Sequence, residues 1–446
     1  MKGPAGLKSG LIALLLLSAG GIGRAATYYV SPTGSDAGPG TEAAPWRTIR
    51  KAADTVTPGD TAFIRTGTYH EQVVPLNSGT DGAWITYAAY PGETATVDGA
   101  GVDVPEWAGL FDITLKAYIR VSGLRVVNSF SNPHNPGILA DTSQHVIIEF
   151  CYIEKTNDSG IGVWNSQDVV VHGNAVYSVC RAGWNECISV GESNAVEVRG
   201  NQVSYSNKEG ICIKDGSFDV RVYGNEVFGT GAVGFYVDAQ DQWTHDIEVF
   251  GNVSHDGAEN GFALASEVGG LLEHINVYNN IAYANGWTGL QVTACCIATH
   301  PMSNIHITNN TFYDNGRGEW GGGIYLENPQ AHGVVIRNNL LSENLTFQLA
   351  VGPGTDFAAD HNLIDVFRWS EGEITGEAPV EGDPQFADSA SADFHIPGTS
   401  PAVDRGSAEN APGMDFDGTP RPQGLGFDIG AFEYRSHLHT RPVTRP

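Results

Sequence analysis

The sequence predicts an all-β solenoid, a chain wound into stacked parallel strands, and three observations predict it. The first is an asparagine that returns at a nearly fixed interval. Asn174, Asn201, Asn225, Asn252, Asn280, Asn310, Asn339 and Asn362 are spaced by 27, 24, 27, 28, 30, 29 and 23 residues. The second is a glycine in phase with it: Gly160, Gly210, Gly234, Gly261, Gly289 and Gly323 each open an alternating run such as Ile211–Ile213. The third is another alternating run just before each asparagine, as in Val220–Val222. Alternation is the period of a strand, and self-similarity over tens of residues marks stacked repeats. A repeat of two or three short strands cannot bury its apolar side chains alone. Coiling places each strand over its equivalent one turn earlier, about 4.8 Å away, and joins the inward side chains into one core. A β-sandwich with Asn-rich turns does not keep one period over eight repeats. The asparagine suits a tight corner where its amide bonds to the asparagine above and below. Cys151 falls in the same column, because Val146–Cys151 aligns with Val169–Asn174.

Taken in order, residues 1–26 read as a secretory signal peptide. Lys2 and Lys8 precede the apolar run Leu11–Leu17, and small residues follow, with cleavage near Ala25 or Ala26. The run is too short to span a bilayer, and no other segment is apolar enough, so membrane insertion is not expected. Residues 27–75 read as an N-terminal cap and first turn. Within it Pro45 to Val56 forms a short amphipathic helix, with Ile49, Ala52, Ala53 and Val56 on one face and Pro58-Gly59-Asp60 stopping it. Such a helix covers the open end of the coil, whose unpaired edge otherwise invites aggregation. Residues 76–365 form the solenoid, irregular at first and regular from 131. Residues 366–434 form a closing module, and 435–446 a disordered tail.

The formal charge is −27, from 24 basic and 51 acidic side chains. Such a chain is a poor partner for nucleic acid or an anionic membrane surface. Solvation accounts for most of this charge, although acidic loops are also suited to Ca²⁺. A monomer is expected. Of the six cysteines, Cys180 and Cys187 flank a loop that a disulfide would close, and export permits one. Cys295-Cys296 is a vicinal pair, and without a Cys-x-x-Cys spacing the chain carries no zinc signature.

Tyr28-Tyr-Val-Ser-Pro-Thr-Gly-Ser-Asp, Pro45-Trp-Arg-Thr-Ile, Pro58-Gly-Asp and Gly67-Thr-Tyr-His-Glu resemble the amino-terminal signature of secreted right-handed parallel β-helix proteins. That group holds pectate-lyase-like and other carbohydrate-active enzymes. Ser400-Pro-Ala-Val-Asp404 and Asp428-Ile-Gly-Ala-Phe-Glu-Tyr434 are similar to a terminal module of bacterial surface β-helix proteins. The resemblance implies a single-stranded right-handed parallel β-helix and leaves the reaction open. One departure matters. Asn260-Gly-Phe-Ala-Leu resembles the Asn-Gly-Phe-Lys-Leu segment that carries the lysine base in one class of β-helix pectate lyases, and here Ala263 stands at the lysine position. There is also no Asp-Asp pair in the arrangement typical of polygalacturonases.

Strand alternation sorts side chains inward and outward. If Ile211 and Ile213 point in, Cys212 and Lys214 point out, and the repeats align into two outward columns. The first is Gly162, Ser189, Cys212, Tyr236, Ala263, Gln291, Tyr325; the second is Trp164, Gly191, Lys214, Asp238, Ala265, Thr293, Glu327. Lys214 and Asp238 thus become neighbours, with Tyr236 beside them, and a plain cross-strand ion pair is the competing reading. Trp164, Trp184, Arg181, Lys208, Trp243 and Trp287 rim this face and are expected to bind substrate, although loop packing also accounts for such tryptophans.

The expected partner is a polysaccharide, bound along a groove, and two chemistries fit. In β-elimination from a uronate, Lys214 serves as base if its surroundings lower its pKa, Tyr236 protonates the leaving oxygen, and Asp215, Asp241 and Glu267, with Asp238, hold Ca²⁺. In glycoside hydrolysis Asp238 pairs with Glu209, Asp215 or Glu267. A lyase is placed ahead of a hydrolase, and a non-catalytic glycan-binding or adhesive surface protein is the alternative.

Overall fold

The computed structural model describes residues 25–435. The segments expected as signal peptide and tail lie, apart from residues 25, 26 and 435, outside that range. The chain forms a right-handed parallel β-helix with almost no helix. Its first sheet has 13 strands, from Thr27–Val30 to Phe357–Asp360. The second also has 13, from Gly67–Tyr69 to Val380–Glu381, and the third has 10, from Phe111–Asp112 to Phe347–Val351. One coil runs Phe218–Tyr223 in the first sheet, Glu226–Phe228 in the second and Phe235–Asp238 in the third. Each strand pairs in parallel with its equivalent on the next coil. The inward Val, Ile, Leu and Phe side chains form one column of core from Val30 to Ile364.

The asparagine column stands at the corner between the first and second sheets. Asn225 shows the pattern. Its Oδ1 accepts from the backbone N–H and the Nδ2 of Asn201 at 2.9 and 3.0 Å, and its Nδ2 donates to Val198 O and Asn252 Oδ1 at 2.9 and 3.0 Å. Every polar atom of the buried amide is thereby satisfied, as burial requires. Cys151 tops the column, its N–H donating to Asn174 Oδ1 at 2.9 Å. Two further ladders hold the other corners. The backbone N–H groups of Ser143, Ser166 and Ser193 donate to the hydroxyls of Ser166, Ser193 and Ser217 at 3.0, 3.0 and 3.1 Å. Asn285 donates to Asn315, and Asn315 to Asn344, at 3.0 Å each.

The N-terminal helix forms, but only over Ile49–Ala53, with Ile49, Ala52 and Ala53 buried. It is shorter than the apolar pattern suggests because both flanks are held elsewhere. The Asp36 carboxylate accepts from the N–H groups of Arg47 and Thr48, Thr48 is extended and caps the start through Lys51, and Asp54 caps the end. Glu71 accepts from the N–H groups of Ile49 and Arg50 at 2.9 and 2.8 Å, which serves the exposed helix donors.

The segment expected as one closing module divides in two. Phe367 and Ile374 pack on the end of the main core, and Val380–Glu381 adds a last strand to the second sheet. From there the chain turns back along the side of the coil. Phe394, Ala431 and Phe432 pack against Ile281, and Arg421 forms an ion pair at 2.9 Å with Glu433, both side chains fully buried. All six cysteines carry free thiols, including Cys180 and Cys187.

Candidate functional site

The third sheet presents the outward columns. The register joins Gly162, Ser189, Cys212, Tyr236, Ala263, Gln291 and Tyr325 side by side on successive coils. It likewise joins Trp164, Gly191 and Lys214, and then Asp238 and Ala265. These side chains sort into two clusters.

The first cluster centres on Lys214. Its ammonium lies 3.0 Å from Glu186 Oε1 and donates to Asn185 Oδ1 at 3.3 Å. Glu186 Oε2 accepts from Ser189 Oγ at 2.7 Å, and Trp164 Nε1 donates to Ser189 Oγ at 3.4 Å. The Lys214–Asp238 ion pair weighed from the sequence is not formed; the loop before the neighbouring strand reaches over with Glu186 instead. Burial, the largest influence, pushes the Lys214 ammonium down, but Glu186 together with Cys212 and Asp215 outweighs it and holds the group above its ordinary value. The lowering that a lysine base needs is therefore reversed here. Asp215 lies past Lys214, its carboxyl raised by burial despite the nearby ammonium. A Cβ at Gly191 would stand 3.4 Å from Asp215 Oδ2 and 3.8 Å from the Trp164 ring, so the glycine leaves a notch between them.

The second cluster centres on Glu267. Tyr236 Oη donates to Glu267 Oε1 at 2.5 Å, and Gln240 Nε2 donates to Oε2 at 3.1 Å. Asp238 is fully buried; its Oδ1 accepts from the N–H groups of Gln240 and Glu267 at 3.0 and 3.1 Å, and its Oδ2 has no partner among the described residues. Burial pushes the Asp238 carboxyl up to about 6 and the Tyr236 phenol far above its ordinary value. Ala263 stands beside Tyr236 on the next coil.

The remaining residues are spread around this strip. Glu209 pairs with Lys208 at 3.1 Å on the loop before Ile211. Trp184, exposed, lies 4.7 Å from the His134 ring, which stacks on Trp107 at 3.9 Å. Arg181 is exposed, its guanidinium 6.0 Å from the Phe130 ring, and Trp287 is exposed on its loop. Trp243 belongs elsewhere: its ring stacks at 3.9 Å on His245, which starts the return to the first sheet. Asp241 is exposed. The three residues expected to hold Ca²⁺ do not converge. Among the described residues Asp215, Asp241 and Glu267 form no common three-ligand group. A single Ca²⁺ site of six or more oxygens does not fit that set.

Sequence reasoning missed Asn185, Ser189 and Gln240 as partners, and Trp107 and His134 on the rim. Their strands could be aligned, but the loops that carry most of them vary in length and have no period. The roomier cavities lie away from this strip. A groove of about 710 Å³ runs between Tyr223, Phe250 and Tyr278 of the first sheet and the 410–418 segment. Its aromatic rings stack on one another, with centroids 4.9 Å apart, so their faces are not free for a sugar.

Residues 28–322 match a family described as "Pel9A-like, right handed beta helix region". The uncharacterized protein YwoF of Bacillus subtilis (strain 168) is 28% identical over 437 residues, covering 84% of this chain and 91% of that protein. The crystal structure of pectate lyase Pel9A superposes with a TM-score of 0.59 at 17% identity, covering 93% of this chain and 98% of that one. The structure of XylC with xylose gives 0.60 at 13% identity, covering 91% and 98%. At these identities the structural likeness concerns the fold.

Proposed function

We infer the reaction from one premise: the chain belongs to the Pel9A-like right-handed β-helix family. It acts outside the cell on a uronate-containing polysaccharide and cleaves it by β-elimination. The observation that carries this reading is the Tyr236–Glu267 hydrogen bond of 2.5 Å, beside Ala263 and one coil from Lys214. With alanine where the pectate-lyase-like segment has lysine, the proton must go to another group, and Tyr236 is its neighbour in the column.

The roles follow from charge and position. Lys214, kept protonated by Glu186, meets the sugar carboxylate and stabilises the negative charge that develops when the adjacent C–H bond breaks. The Tyr236 phenol oxygen takes that proton while its own proton passes to Glu267. As the C–O bond to the leaving sugar breaks, its oxygen is protonated from the same pair or from water, and the new end carries a double bond. Trp164, in the column of Lys214, and the exposed Trp184 and Trp287 offer ring faces to the sugar chain. The expected signal peptide at 1–26 and the printed name of the similar pectate lyase support an extracellular glycan as partner.

The test is to incubate the purified chain with uronate polymers and with neutral glycans. Ultraviolet absorbance from unsaturated ends, lost in Tyr236→Phe, is the expected result. Reducing ends without that absorbance would mean hydrolysis, and neither signal would remove the enzymatic reading.

A further inference from the structure

The vicinal cysteines lie over the second cluster, and nothing in the proposed reaction uses them. Cys295 Sγ, Cys296 Sγ and a Glu267 carboxylate oxygen lie within 4.8 Å of one another. The loop that brings them there is anchored at both ends by the next coil. At its start the Glu327 carboxylate accepts from Thr293 Oγ1 and from the N–H of Ala294, both at 3.1 Å. Further along, Gln330 Nε2 donates to Ala298 O and Gln330 Oε1 accepts from the N–H of His300, both at 2.9 Å, while Asn328 Nδ2 donates to His300 O at 2.9 Å. Between the anchors Cys296 takes φ +81°, a left-handed conformation that costs a non-glycine residue energy, and Ile297 N–H closes on Cys295 O at 3.0 Å. The strained turn is thus fixed with its two sulfurs near one carboxylate.

A second observation points to a ligand at the same place. Asp238 is fully buried, its Oδ2 has no hydrogen-bond partner among the described residues, and its Oδ1 accepts from the backbone N–H of Glu267. A buried carboxylate oxygen without a donor is costly. The other partners of this cluster are neutral: Tyr236 and Gln240 serve Glu267, and backbone N–H groups serve Asp238. Four groups that become anionic when ionised therefore crowd together, and a cation would relieve all of them.

We propose that Cys295, Cys296 and Glu267, with Asp238 behind them, bind a thiophilic divalent cation of the zinc class. The donor set selects the metal. Two thiolates and one carboxylate suit Zn²⁺, Co²⁺ or Cd²⁺, whereas Ca²⁺ and Mg²⁺ take oxygen ligands. In a tetrahedral site with Zn–S bonds of about 2.3 Å the sulfurs stand roughly 3.8 Å apart, which the observed grouping accommodates. Three protein ligands leave a fourth position for a water. Binding releases the thiol protons and so tightens as pH rises. Glu267 also belongs to the proton relay proposed above, whereas the two cysteines do not, so metal binding is read without measuring activity.

The test uses the purified, reduced full chain titrated with Co²⁺. The expected result is sulfur-to-cobalt charge-transfer absorption that saturates at one ion per chain and is erased by added Zn²⁺. The Cys295→Ser/Cys296→Ser double variant, changed only at a partly exposed turn, should lose the band while keeping its circular dichroism. Glu267→Gln should weaken Co²⁺ binding about 10-fold or more. Absence of the band, or its persistence in the double variant, would overturn the site.

Discussion

Lys214 points its ammonium at Glu186, 3.0 Å away on the loop before the preceding strand, and turns from Asp238 on the following coil. That choice decides the protonation state of the strip. A lysine held charged binds and neutralises anions; it does not take a proton from carbon. If Lys214 acts as a cation, activity on a uronate polymer falls as pH rises through its pKa, whereas a lysine base would make activity rise there. Glu186→Gln removes the charge that opposes burial, so the basic limb of the pH–rate profile should move to lower pH. Lys214→Ala should lower kcat/KM by about 10²-fold or more.

Asp238 makes the stability of the fold depend on pH. Its folded carboxyl is raised from 3.8 to about 6 by burial, so the native state favours the protonated form. A raised pKa contributes stability that is full below the unfolded value and lost as pH rises through the folded one. Between about pH 4 and pH 6 the wild type should lose on the order of 3 kcal/mol from this residue alone. Asp238→Asn keeps the Oδ1 acceptor and does not titrate. Its stability relative to wild type, measured by denaturant unfolding at both ends of that window, should rise by about that amount.

The asparagine column should be expensive to interrupt in its middle. Asn252 accepts from Asn225 twice and donates to Val222 O and Asn280 Oδ1, all at 2.9 to 3.0 Å. Asn252→Ala strands these buried partners and should cost about 3–5 kcal/mol. Thermal unfolding monitored by circular dichroism checks it.

The Arg421–Glu433 pair is fully buried, so removing one partner leaves the other charge uncompensated. Glu433→Gln should destabilise the side-packed segment by about 3–5 kcal/mol. Limited proteolysis should then cut within residues 382–434 while the solenoid resists.

The rim tryptophans should divide by what they touch. Trp184→Ala and Trp287→Ala should raise KM for a polymer about threefold to tenfold without lowering Tm. Trp243→Ala should spare KM and lower Tm, because its ring already stacks on His245.

Much of this architecture could be read from the residues, because period and alternation are properties of sequence. The eight asparagines, Cys151 at their head and the order of the outward columns all follow from register. What escaped depends on side-chain direction and loop reach. Glu186 was visible beside its strand, but nothing in the spacing says that it bends back to Lys214. Cys295 and Cys296 gave no metal signature, since their partner Glu267 lies on the previous coil. The serine ladder was hidden because serine is too common in turns to stand out, and the expected N-terminal helix came out shorter than its apolar pattern because side-chain caps bound it.

The returning C-terminal segment has a mechanical meaning. Arg421 donates to Asn279 Oδ1, Asn309 donates to Asp428 O and Gly430 O, and Asn338 donates to Ser407 O. Three successive coils are thus laced to one strap on the outside. A coil that touches only its neighbours would peel from its free end one winding at a time. Here unwinding must first tear the strap from all three, so tension on that end is shared and the molecule should yield late and abruptly when pulled.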